Sequence, residues 1–331
     1  MIELGVDLGT ANTVVCNCDE GLVLDEPSVM LLRDRGRRGV EVVAVGTEAS
    51  ELLGRVPPDT IALRPLQDGV ITDLYTARSY LRAIIRRLVP SPWWAAKAHV
   101  VIGSPTGATA LERRALQEAA EEAGIKRVTT LDEPIAGAIG CGIDPLERRV
   151  HMVVDIGGGT GEVTAFCYGG VLAARSCRVA GDEMTLAIHR YLREEHQLVV
   201  GEQRAEQVKI RAGVEASASL TVQGRDAATG RPRVSTIPLD EIVKVVEPIT
   251  ESIIQTLAAC LDDLPPETCE DVMADGVLLF GGGSLTLGFR DALERAFGFP
   301  VKMAGNPLTC VAEGAARALR SPGLTEAYAR Y

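Results

Sequence analysis

The fold is decided by two glycine-bearing turns, Asp7-Leu8-Gly9-Thr10-Ala11-Asn12-Thr13 and Asp155-Ile156-Gly157-Gly158-Gly159-Thr160-Gly161-Glu162, which lie about 150 residues apart. Each turn follows a short apolar run and leads into another, which predicts a tight hairpin between strands with a carboxylate at its mouth. Glycine lets backbone amides approach an anion closely, and a nearby aspartate can hold a divalent cation through water. One such turn is usually only a turn, whereas two in the same strand context predict facing hairpins that grip one nucleotide.

Length and composition restrict the class of protein. The 331 residues suit two domains, and 46% hydrophobic with 24% charged residues is typical of a globular chain. The net charge of −11 argues against nucleic acid as a partner. Eight cysteines without a C-x-x-C pair predict reduced core thiols. Because no signal-peptide pattern and no long apolar run is evident, we expect a cytoplasmic protein.

The two halves of the chain show the same order of predicted elements, which indicates duplication of one α/β unit. In the first half, we expect strands at 2–8, 13–17, 21–24, 99–103 and 128–131, and helices at 75–88, 108–123 and 135–142. In the second half, we expect strands at 152–156, 162–167, 171–179 and 276–280, a hairpin at 216–237, and helices at 182–196, 201–212, 240–261 and 306–319. Small residues in the helices at 135–142 and 306–319 predict a close crossing, as a hinge between two lobes requires.

Taken together, these features resemble the actin, sugar kinase and Hsp70 ATPase superfamily, and within it the MreB family of bacterial actins. The resemblance rests on both hairpins and on the following segments: 26–28 (Glu-Pro-Ser), 64–66 (Arg-Pro-Leu), 68–71 (Asp-Gly-Val-Ile), 181–184 (Gly-Asp-Glu-Met), the glycine triplet 281–283 and 307–312 (Pro-Leu-Thr-Cys-Val-Ala). It covers nearly the whole chain, from residue 2 to about residue 319.

The resemblance implies an α/β, actin-like fold, with two duplicated ribonuclease H-like lobes around a nucleotide cleft and four subdomains. The implied divisions are 1–31, 75–145 and 320–331 for subdomain IA, 32–74 for IB, 146–180 and 239–319 for IIA, and 181–238 for IIB. It further implies ATP and Mg²⁺ as cofactors, slow ATP hydrolysis coupled to polymerisation, and filaments that attach to the cytoplasmic membrane. Its implied partners are other copies of the chain and the proteins of cell-wall synthesis and morphogenesis.

Site residues are carried over by position from the same resemblance. The implied Mg²⁺ carboxylates are Asp7 and Asp155, and the implied phosphate-binding residues are Gly9, Thr10, Ala11, Asn12, Thr13, Gly157, Gly158, Gly159 and Thr160. The implied nucleoside side consists of Gly181, Asp182, Glu206, Lys209, Gly281, Gly282 and Gly283. Glu133 is implied to position the attacking water, with Thr160 near the γ-phosphate. Positioning and charge neutralisation supply most of the rate in phosphoryl transfer, so these parts suffice.

Several of these residues also have a purely structural interpretation. Glu133 could be a helix N-terminal glutamate favoured by the helix dipole, and Glu206 with Lys209 an ordinary ion pair on one helix face. The glycine triplet could be only a turn. Gly161 stands where MreB relatives commonly have a second threonine, which removes a hydroxyl beside the phosphates.

Both tryptophans of the chain are adjacent, Trp93 and Trp94, in a proline-rich loop. Three arginines precede the loop and one lysine follows the pair: Arg82, Arg86, Arg87 and Lys97. In MreB proteins the corresponding loop carries apolar residues that enter the bilayer, so the pair is predicted to anchor the chain to the membrane. Tryptophan favours the membrane interface because its ring is apolar while its N–H stays hydrated. The alternative is that both rings pack under the loop as part of the core.

Other functional classes remain open. A divergent bacterial actin that binds ATP without polymerising would act as a scaffold or regulator. An Hsp70-like chaperone would need a peptide-binding domain, which the sequence after the closing helix does not show. A small-molecule kinase of the same fold would need a substrate base, for which we find no signature.

Overall fold

The computed structural model describes residues 2–35, 39–71, 73–89, 91–215 and 217–330. Its core consists of two sheets built on the same plan. The first has the order β19-β10-β9-β1-β2-β3, from β1 (Glu3–Leu8), β2 (Asn12–Asn17), β3 (Gly21–Pro27), β9 (His99–Ser104), β10 (Arg127–Asp132) and β19 (Ala329–Arg330). The second has the order β13-β12-β11-β17-β18, from β11 (His151–Ile156), β12 (Gly161–Cys167), β13 (Gly170–Cys177), β17 (Val277–Phe280) and β18 (Val301–Met303).

The pairing of strands confirms the predicted duplication. In the first sheet β1 runs antiparallel to β2 and parallel to β9, and in the second β11 runs antiparallel to β12 and parallel to β17. The carboxyl ends of β1 and β11 therefore each lead into a hairpin. The expected actin-like α/β fold is thus present as two similar lobes.

Two smaller sheets extend from the lobes. From the first lobe come β4 (Met30–Asp34), β5 (Val40–Val45) and β6 (Thr60–Leu63), in the order β5-β4-β6, with α1 (Thr47–Glu51). The pair β7 (Leu66–Gln67) and β8 (Val70–Ile71) follows. From the second lobe come β14 (Leu198–Val199), β15 (Ser219–Asp226) and β16 (Pro232–Pro238). The exact boundaries of the four subdomains stay a prediction.

Helices cover the sheets and form the walls of the cleft. The first lobe carries α2 (Leu74–Leu88), α3 (Pro92–Ala95), α4 (Ala110–Glu122) and α5 (Glu133–Gly140). The second carries α6 (Gly181–Glu194), α7 (Glu202–Val214), α8 (Leu239–Asp262), α9 (Cys269–Asp275) and α10 (Phe289–Phe297), and the chain continues into α11 (Cys310–Ala318) and α12 (Pro322–Tyr328). Most bounds agree with the sequence analysis to within three residues, but the closing helix begins at Cys310 rather than at Asn306.

Small residues bring α5 and α11 into backbone contact at the base of the cleft. A Cβ added to Gly140 would overlap the carbonyl oxygen of Cys310, and one added to Gly314 would overlap that of Ala136. The Arg317 guanidinium donates to the carbonyl oxygens of Ile139 and Gly140, at 3.2 and 2.6 Å, and so caps the end of α5. The predicted close crossing of the two helices is confirmed.

The segment after α11 contacts both lobes. Strand β19 pairs antiparallel with β10, and the buried Tyr328 donates a hydrogen bond of 3.0 Å from its hydroxyl to the carbonyl oxygen of Pro145. The Tyr328 ring also meets Phe166 of β12 edge to face, with 6.5 Å between ring centroids. This segment therefore covers the edge of the first sheet with β19.

Candidate functional site

Each of the two decisive turns forms the predicted hairpin, and each is closed by the same hydrogen bond. The amide of Gly9 donates to the carbonyl oxygen of Asn12 at 3.0 Å, and the amide of Gly157 donates to that of Thr160 at 2.9 Å. Asp7, near the end of β1, and Asp155, near the end of β11, stand at equivalent positions before these turns. The duplicated strands therefore present two matched loops with a carboxylate at the base of each.

The tips of the two hairpins touch each other. A Cβ added to Gly158 would lie 2.7 Å from the Cβ of Ala11, and one added to Gly159 would lie 2.8 Å from the hydroxyl oxygen of Thr10. Such distances are shorter than real side-chain contacts, so both positions need glycine for this approach. The amide of Asp182 donates to the carbonyl oxygen of Gly158 at 2.7 Å, which fixes the start of α6 against the second hairpin.

A cleft of about 270 Å³ opens beside the hairpins and gathers most of the predicted site residues. Its walls contain the following predicted residues: Asp7, Gly9, Thr10, Ala11, Asn12, Glu133, Asp155, Gly157, Gly158, Gly159, Thr160, Asp182, Glu206, Lys209, Gly281, Gly282 and Gly283. Residues from both lobes thus line one concave site, which is where ligand sites are found in two-lobed proteins.

Two predicted residues lie elsewhere. Thr13 is fully buried behind the first hairpin, where its hydroxyl lies 2.8 Å from the Ser28 hydroxyl and accepts a hydrogen bond of 3.0 Å from Tyr80. Gly181 lies behind the cleft wall, where its carbonyl oxygen accepts a hydrogen bond from Lys209. Thr13 therefore fastens the hairpin to α2, and Gly181 connects α6 to α7.

The ammonium group of Lys209 is engaged on all sides by the protein. It donates to the carbonyl oxygen of Gly181 at 2.8 Å and to the Thr185 hydroxyl at 3.0 Å, and it lies 2.8 Å from the Glu206 carboxylate. Since an ammonium has three donors, these contacts use its hydrogen-bonding capacity. Lys209 thus holds α6 and α7 in register, and Glu206, which also accepts a hydrogen bond from Thr185, is the more exposed member of the pair.

The glycine triplet after β17 approaches the second hairpin from the other side. Gly281 adopts φ +84°, and its amide donates to the carbonyl oxygen of Pro307 at 2.8 Å. A Cβ at this position would overlap a carboxylate oxygen of Asp155 and the carbonyl oxygen of Ile156. The triplet is therefore more than a surface turn, because it places backbone directly beside the Asp155 carboxylate.

Acidic side chains converge at the base of the cleft. Burial, followed by repulsion from Asp25, raises the pKa of Asp7 to about 7, and burial with repulsion from Asp7 raises the pKa of Asp155 well above its usual range. Burial and the neighbouring Glu162 likewise raise the pKa of Glu133. Such a group of carboxylates favours a bound cation, which would offset their repulsion.

Glu162, which the sequence analysis did not single out as a site residue, connects the lobes. Its buried carboxylate accepts hydrogen bonds from the amide of Thr106, at 3.0 and 3.1 Å to the two oxygens, and from the Thr106 hydroxyl at 3.2 Å. Burial raises its pKa to about 7, although the bonds from Thr106 lower it. On the first lobe, Arg113 forms a buried ion pair of 2.6 Å with Asp132 beside this contact. The available signal was one glutamate in an otherwise uncharged strand, directly after the second glycine turn.

Exposed apolar side chains form the outer wall of the cleft and were also missed. They are Ile210 and Val214 of α7, Leu285 after the glycine triplet and Leu308 before α11. Ile210 and Val214 lie four residues apart, on one helix face. An exposed apolar stripe on an amphipathic helix is easily taken for core packing, so sequence pattern alone gives it no special role.

The cleft residues fit a nucleotide with a magnesium ion. The backbone amides of the hairpins, the absence of side chains at Gly158 and Gly159 and the paired aspartates match phosphate oxygens and a hydrated cation. Within the described ranges, no group of three or more His, Cys, Asp or Glu side chains is arranged to hold a metal ion. Magnesium commonly takes one or two carboxylates with water and phosphate oxygens, so Asp7 and Asp155 suit it.

Both tryptophans are exposed, so the core-packing alternative is wrong. Trp93 is 59% and Trp94 47% exposed, and the two rings meet edge to face with 4.9 Å between centroids. The Lys97 ammonium lies 3.3 Å from the centroid of the Trp93 ring. Buried Ala95 and Ala98 fix the turn beneath them. In the part of the chain that the structure describes, no helix has the length and apolar character needed to cross a membrane.

Comparison with known proteins agrees with this geometry. Residues 1–326 match the family model described as MreB/Mbl protein. The cell shape-determining protein MreB of Escherichia coli K12 is 38% identical over 322 residues, covering 96% of this chain and 93% of that protein. The cell shape-determining protein Mbl of Bacillus cereus is 37% identical over 317 residues, covering 94% of each.

A solved structure extends the agreement to the fold. MreB5 of Spiroplasma citri bound to AMPPNP superposes with a TM-score of 0.88 at 31% identity, covering 98% of this chain and 96% of that one. The same protein bound to ADP gives the same TM-score and identity. These likenesses, with the duplicated sheets and the facing hairpins, show that the chain belongs to the MreB/Mbl family of actin-like cytoskeletal proteins.

Proposed function

We propose that this protein binds ATP with Mg²⁺ in the cleft, assembles into filaments, and attaches to the inner face of the cell membrane to organise cell-wall synthesis and cell shape. The observation that carries the proposal is the contact between the two glycine hairpins, with Asp7 and Asp155 at their bases. Relatives named as cell shape-determining proteins and a relative solved with AMPPNP and with ADP support it.

The chain's own residues supply the parts that phosphoryl transfer needs. Amides of the two hairpins would hold the phosphates, and the apolar wall of Ile210, Val214, Leu285 and Leu308 would cover the base. Asp7 and Asp155 would hold Mg²⁺, which neutralises phosphate charge when bound. Glu133 would orient the attacking water near Thr160, and both side chains line the same cleft.

We expect hydrolysis to be slow because a side-chain hydroxyl is missing beside the phosphates. Gly161 removes the hydroxyl that relatives carry at this position, and its neighbours leave limited room: an added Cβ would lie 3.1 Å from the Cys177 sulfur. Phosphate binding depends on the backbone of the hairpins and does not need that hydroxyl.

Attachment to the membrane is proposed for the loop that carries Trp93 and Trp94. About half of a ring area near 200 Å², at about 25 cal/mol per Å², gives roughly 2.5 kcal/mol for each ring as an upper bound. Arg82 and Arg86, exposed and one turn apart on α2, would add attraction to anionic headgroups. One subunit should therefore bind weakly, whereas a filament that presents many loops binds through avidity.

Flotation with vesicles and sedimentation without them test the membrane and filament parts separately. With ATP and Mg²⁺, we expect the protein to float with vesicles of phosphatidylglycerol and phosphatidylcholine in a density gradient, and to pellet as filaments without vesicles. We expect Trp93→Ala/Trp94→Ala to lose flotation and to keep the pelleting of filaments. Leu111→Ala/Tyr168→Ala is the matched control, because both side chains are exposed and lie outside the loop. Pelleting in no condition, with ATP binding intact, would favour the non-polymerising scaffold.

A further inference from the structure

We propose that Thr106 and Arg113 are positioning residues for ATP hydrolysis, because they connect a contact between the lobes to the backbone that carries Glu133. Thr106 lies in the β9–α4 turn, by which we mean residues 103–107, and Arg113 lies in α4. Neither residue lines the cleft, so both act through other residues. The inference rests on the proposed function, in which Glu133 orients the attacking water.

The β9–α4 turn contacts the second lobe at two points. The amide of Thr106 donates to both carboxylate oxygens of Glu162, at 3.0 and 3.1 Å, and the Thr106 hydroxyl donates to one of them at 3.2 Å. At the next residue, a Cβ added to Gly107 would lie 2.7 Å from the hydroxyl oxygen of Ser176 in β13. Hydrogen bonds to a carboxylate are stronger than those between neutral groups, and Glu162 is buried. Contact between the lobes therefore fixes the position of the turn.

Arg113 connects the same turn to the strand that leads into Glu133. Its guanidinium donates to the carbonyl oxygen of Thr106 at 3.2 Å and to the Ser104 hydroxyl at 2.6 Å. It also forms the ion pair of 2.6 Å with Asp132, the residue directly before Glu133. Arg113 and Asp132 are both buried, so little water competes for the pair. Because the donors of a guanidinium form a rigid fork, these bonds hold the turn and the end of β10 in one arrangement.

The side chain of Glu133 itself packs against the turn. A Cβ added to Gly103 would lie 3.1 Å from the Cγ of Glu133, so the glutamate side chain rests directly on the backbone at the end of β9. Contacts therefore run from Glu162 in the second lobe, through the β9–α4 turn and Arg113, to Glu133. A shift of the turn changes the support of Glu133 from below and from the preceding residue.

This chain of contacts makes the orientation of the water depend on contact between the lobes. A misplacement of about 1 Å in a group that positions a reactant can slow a reaction by about 100-fold. The phosphates, in contrast, are held by amides of the two glycine hairpins. Loss of the contacts at Thr106 should therefore change the rate of hydrolysis and leave the affinity for nucleotide unchanged.

Single-turnover hydrolysis of ATP with Mg²⁺ tests this separation. Thr106→Val removes the hydroxyl but keeps the amide and the side-chain volume, and we expect it to slow ATP cleavage by about fivefold or more, with AMPPNP affinity within about twofold of wild type. Thr106→Ser keeps the hydroxyl and should cleave ATP at nearly the wild-type rate. A loss of affinity that matches the loss of rate would overturn the proposal.

A second threonine provides the matched control. In the turn between β15 and β16, the amide and hydroxyl of Thr229 donate to the Asp226 carboxylate at 2.8 and 2.9 Å, the same arrangement as at Thr106. Thr229→Val should therefore remove a comparable bond without changing hydrolysis. Equal slowing by Thr229→Val and Thr106→Val would contradict a specific role for Thr106.

A double variant shows whether Thr106 acts through Glu133. In the Glu133→Gln background, Thr106→Val should cause no further slowing, because the group that it positions is already lost. General damage to the fold would instead slow hydrolysis by the same factor in both backgrounds, which would overturn the chain of contacts alone. A wild-type rate no higher than that of Glu133→Gln would contradict the proposed function itself.

Hydrogen exchange in the nucleotide-free protein tests the contact between the lobes without any reaction. Glu162→Gln replaces the carboxylate with a neutral amide of the same shape, so the bonds from Thr106 weaken. We expect amides of residues 104–109 to exchange at least about threefold faster than in wild type, while those of β17 are unchanged. Equal exchange of residues 104–109 in the two proteins would show that Glu162 does not hold the turn, and would contradict the proposal.

Discussion

Arg64 reaches across the mouth of the cleft to Asp182, with 3.0 Å between the guanidinium nitrogen Nη1 and the carboxylate oxygen Oδ2. Arg64 lies between β6 and β7 of the first lobe, and Asp182 lies in the first turn of α6 in the second. A second contact across the mouth joins Gln203 of α7 to Ser50 of α1, at 2.8 Å to the carbonyl oxygen and 3.0 Å to the hydroxyl. The protein therefore adopts a closed arrangement held by polar contacts at the mouth of the cleft.

Removing the cross-cleft pair should speed the release of nucleotide. An exposed ion pair contributes about 0.2–1 kcal/mol, so Arg64→Ala is expected to raise the dissociation rate of a fluorescent ATP analogue by up to about fivefold. Stopped-flow displacement with excess ATP measures this rate. The control is Arg290→Ala, which removes an exposed pair with Glu294 inside α10, at 3.0 Å, and should leave release unchanged. Equal effects from both variants would contradict a role for the cross-cleft contact.

Gly281→Ala should abolish nucleotide binding and lower stability. Its Cβ would overlap the Asp155 carboxylate at a residue with φ +84°, so the chain must shift a cleft aspartate to accept it. Gly298→Ala is the matched control, since Gly298 has φ +71° and open space around its Cβ position. Gly298→Ala should lower the free energy of unfolding by about 1 kcal/mol, because alanine disfavours a positive φ, and should leave nucleotide binding intact. Thermal unfolding measures the stability of both variants, and ATP titration measures their affinity. Similar losses in the two variants would contradict a specific effect of Gly281 on the Asp155 carboxylate.

Glu133→Gln should slow hydrolysis while keeping nucleotide affinity. Loss of a group that positions or deprotonates the reacting water typically reduces the rate by about 100-fold or more. Phosphate release in the presence of ATP and Mg²⁺ gives the rate, and titration with AMPPNP gives the affinity. If Glu133 is only a glutamate favoured by the helix dipole, the variant will hydrolyse ATP as the wild type does and lose only stability.

The cleft carboxylates should make the nucleotide-free protein less stable as pH rises. Asp7 has its pKa raised from 3.8 to about 7 in the folded state, so the folded protein holds a proton that the unfolded chain releases near pH 4. This stabilisation is complete below about pH 4 and is lost as pH rises to about 7. Asp7→Asn should therefore gain melting temperature relative to wild type between pH 5 and 7.5.

A second aspartate provides the control for the pH experiment. Arg175 lowers the pKa of exposed Asp263, so Asp263 is ionised in both the folded and the unfolded protein above pH 5. The difference in melting temperature between Asp263→Asn and wild type should therefore stay constant between pH 5 and 7.5. A constant difference for Asp7→Asn across this range would show that Asp7 ionises normally in the folded protein. Added ATP and Mg²⁺ should reduce the advantage of Asp7→Asn, because the cation offsets the carboxylate charge.

Much of the fold could be predicted because its signals are local. Asp-Leu-Gly and Asp-Ile-Gly-Gly-Gly mark hairpins wherever they follow apolar strands, and the repeat of this pattern indicated both lobes. The small sheet of β4, β5 and β6 was missed, because side chains such as Val40, Val42 and Ile61 are exposed and the strands are short and interrupted by charge. Pairing between such strands is decided by distant neighbours rather than by their own pattern.

The parts of the site that are formed by backbone groups could be predicted from the sequence. The parts that depend on contacts between residues far apart in the chain could not. The glycines at positions 157–159 can be recognised from the sequence as a phosphate-binding turn. The burial of Thr13, in contrast, depends on its contacts with Tyr80 of α2 and with Ser28. The contact of Glu162 with Thr106 joins residues 56 positions apart and depends on closure of the lobes. Sequence pattern does not encode which side of a hairpin a hydroxyl faces once another helix packs behind it.

Equilibrium binding of a fluorescent ATP analogue to wild type and Gly158→Val tests the central claim most directly. Valine at this position would enter the space of Ala11 and separate the two hairpins, whereas the carboxylates and the outer wall stay in place. Gly201→Val is the control, because nothing lies near the Cβ position of Gly201 and its φ of −84° suits valine. We expect Mg²⁺-dependent binding to wild type and to Gly201→Val and loss of at least about 100-fold in affinity for Gly158→Val. Equal affinity in all three proteins would contradict a nucleotide held between the facing hairpins.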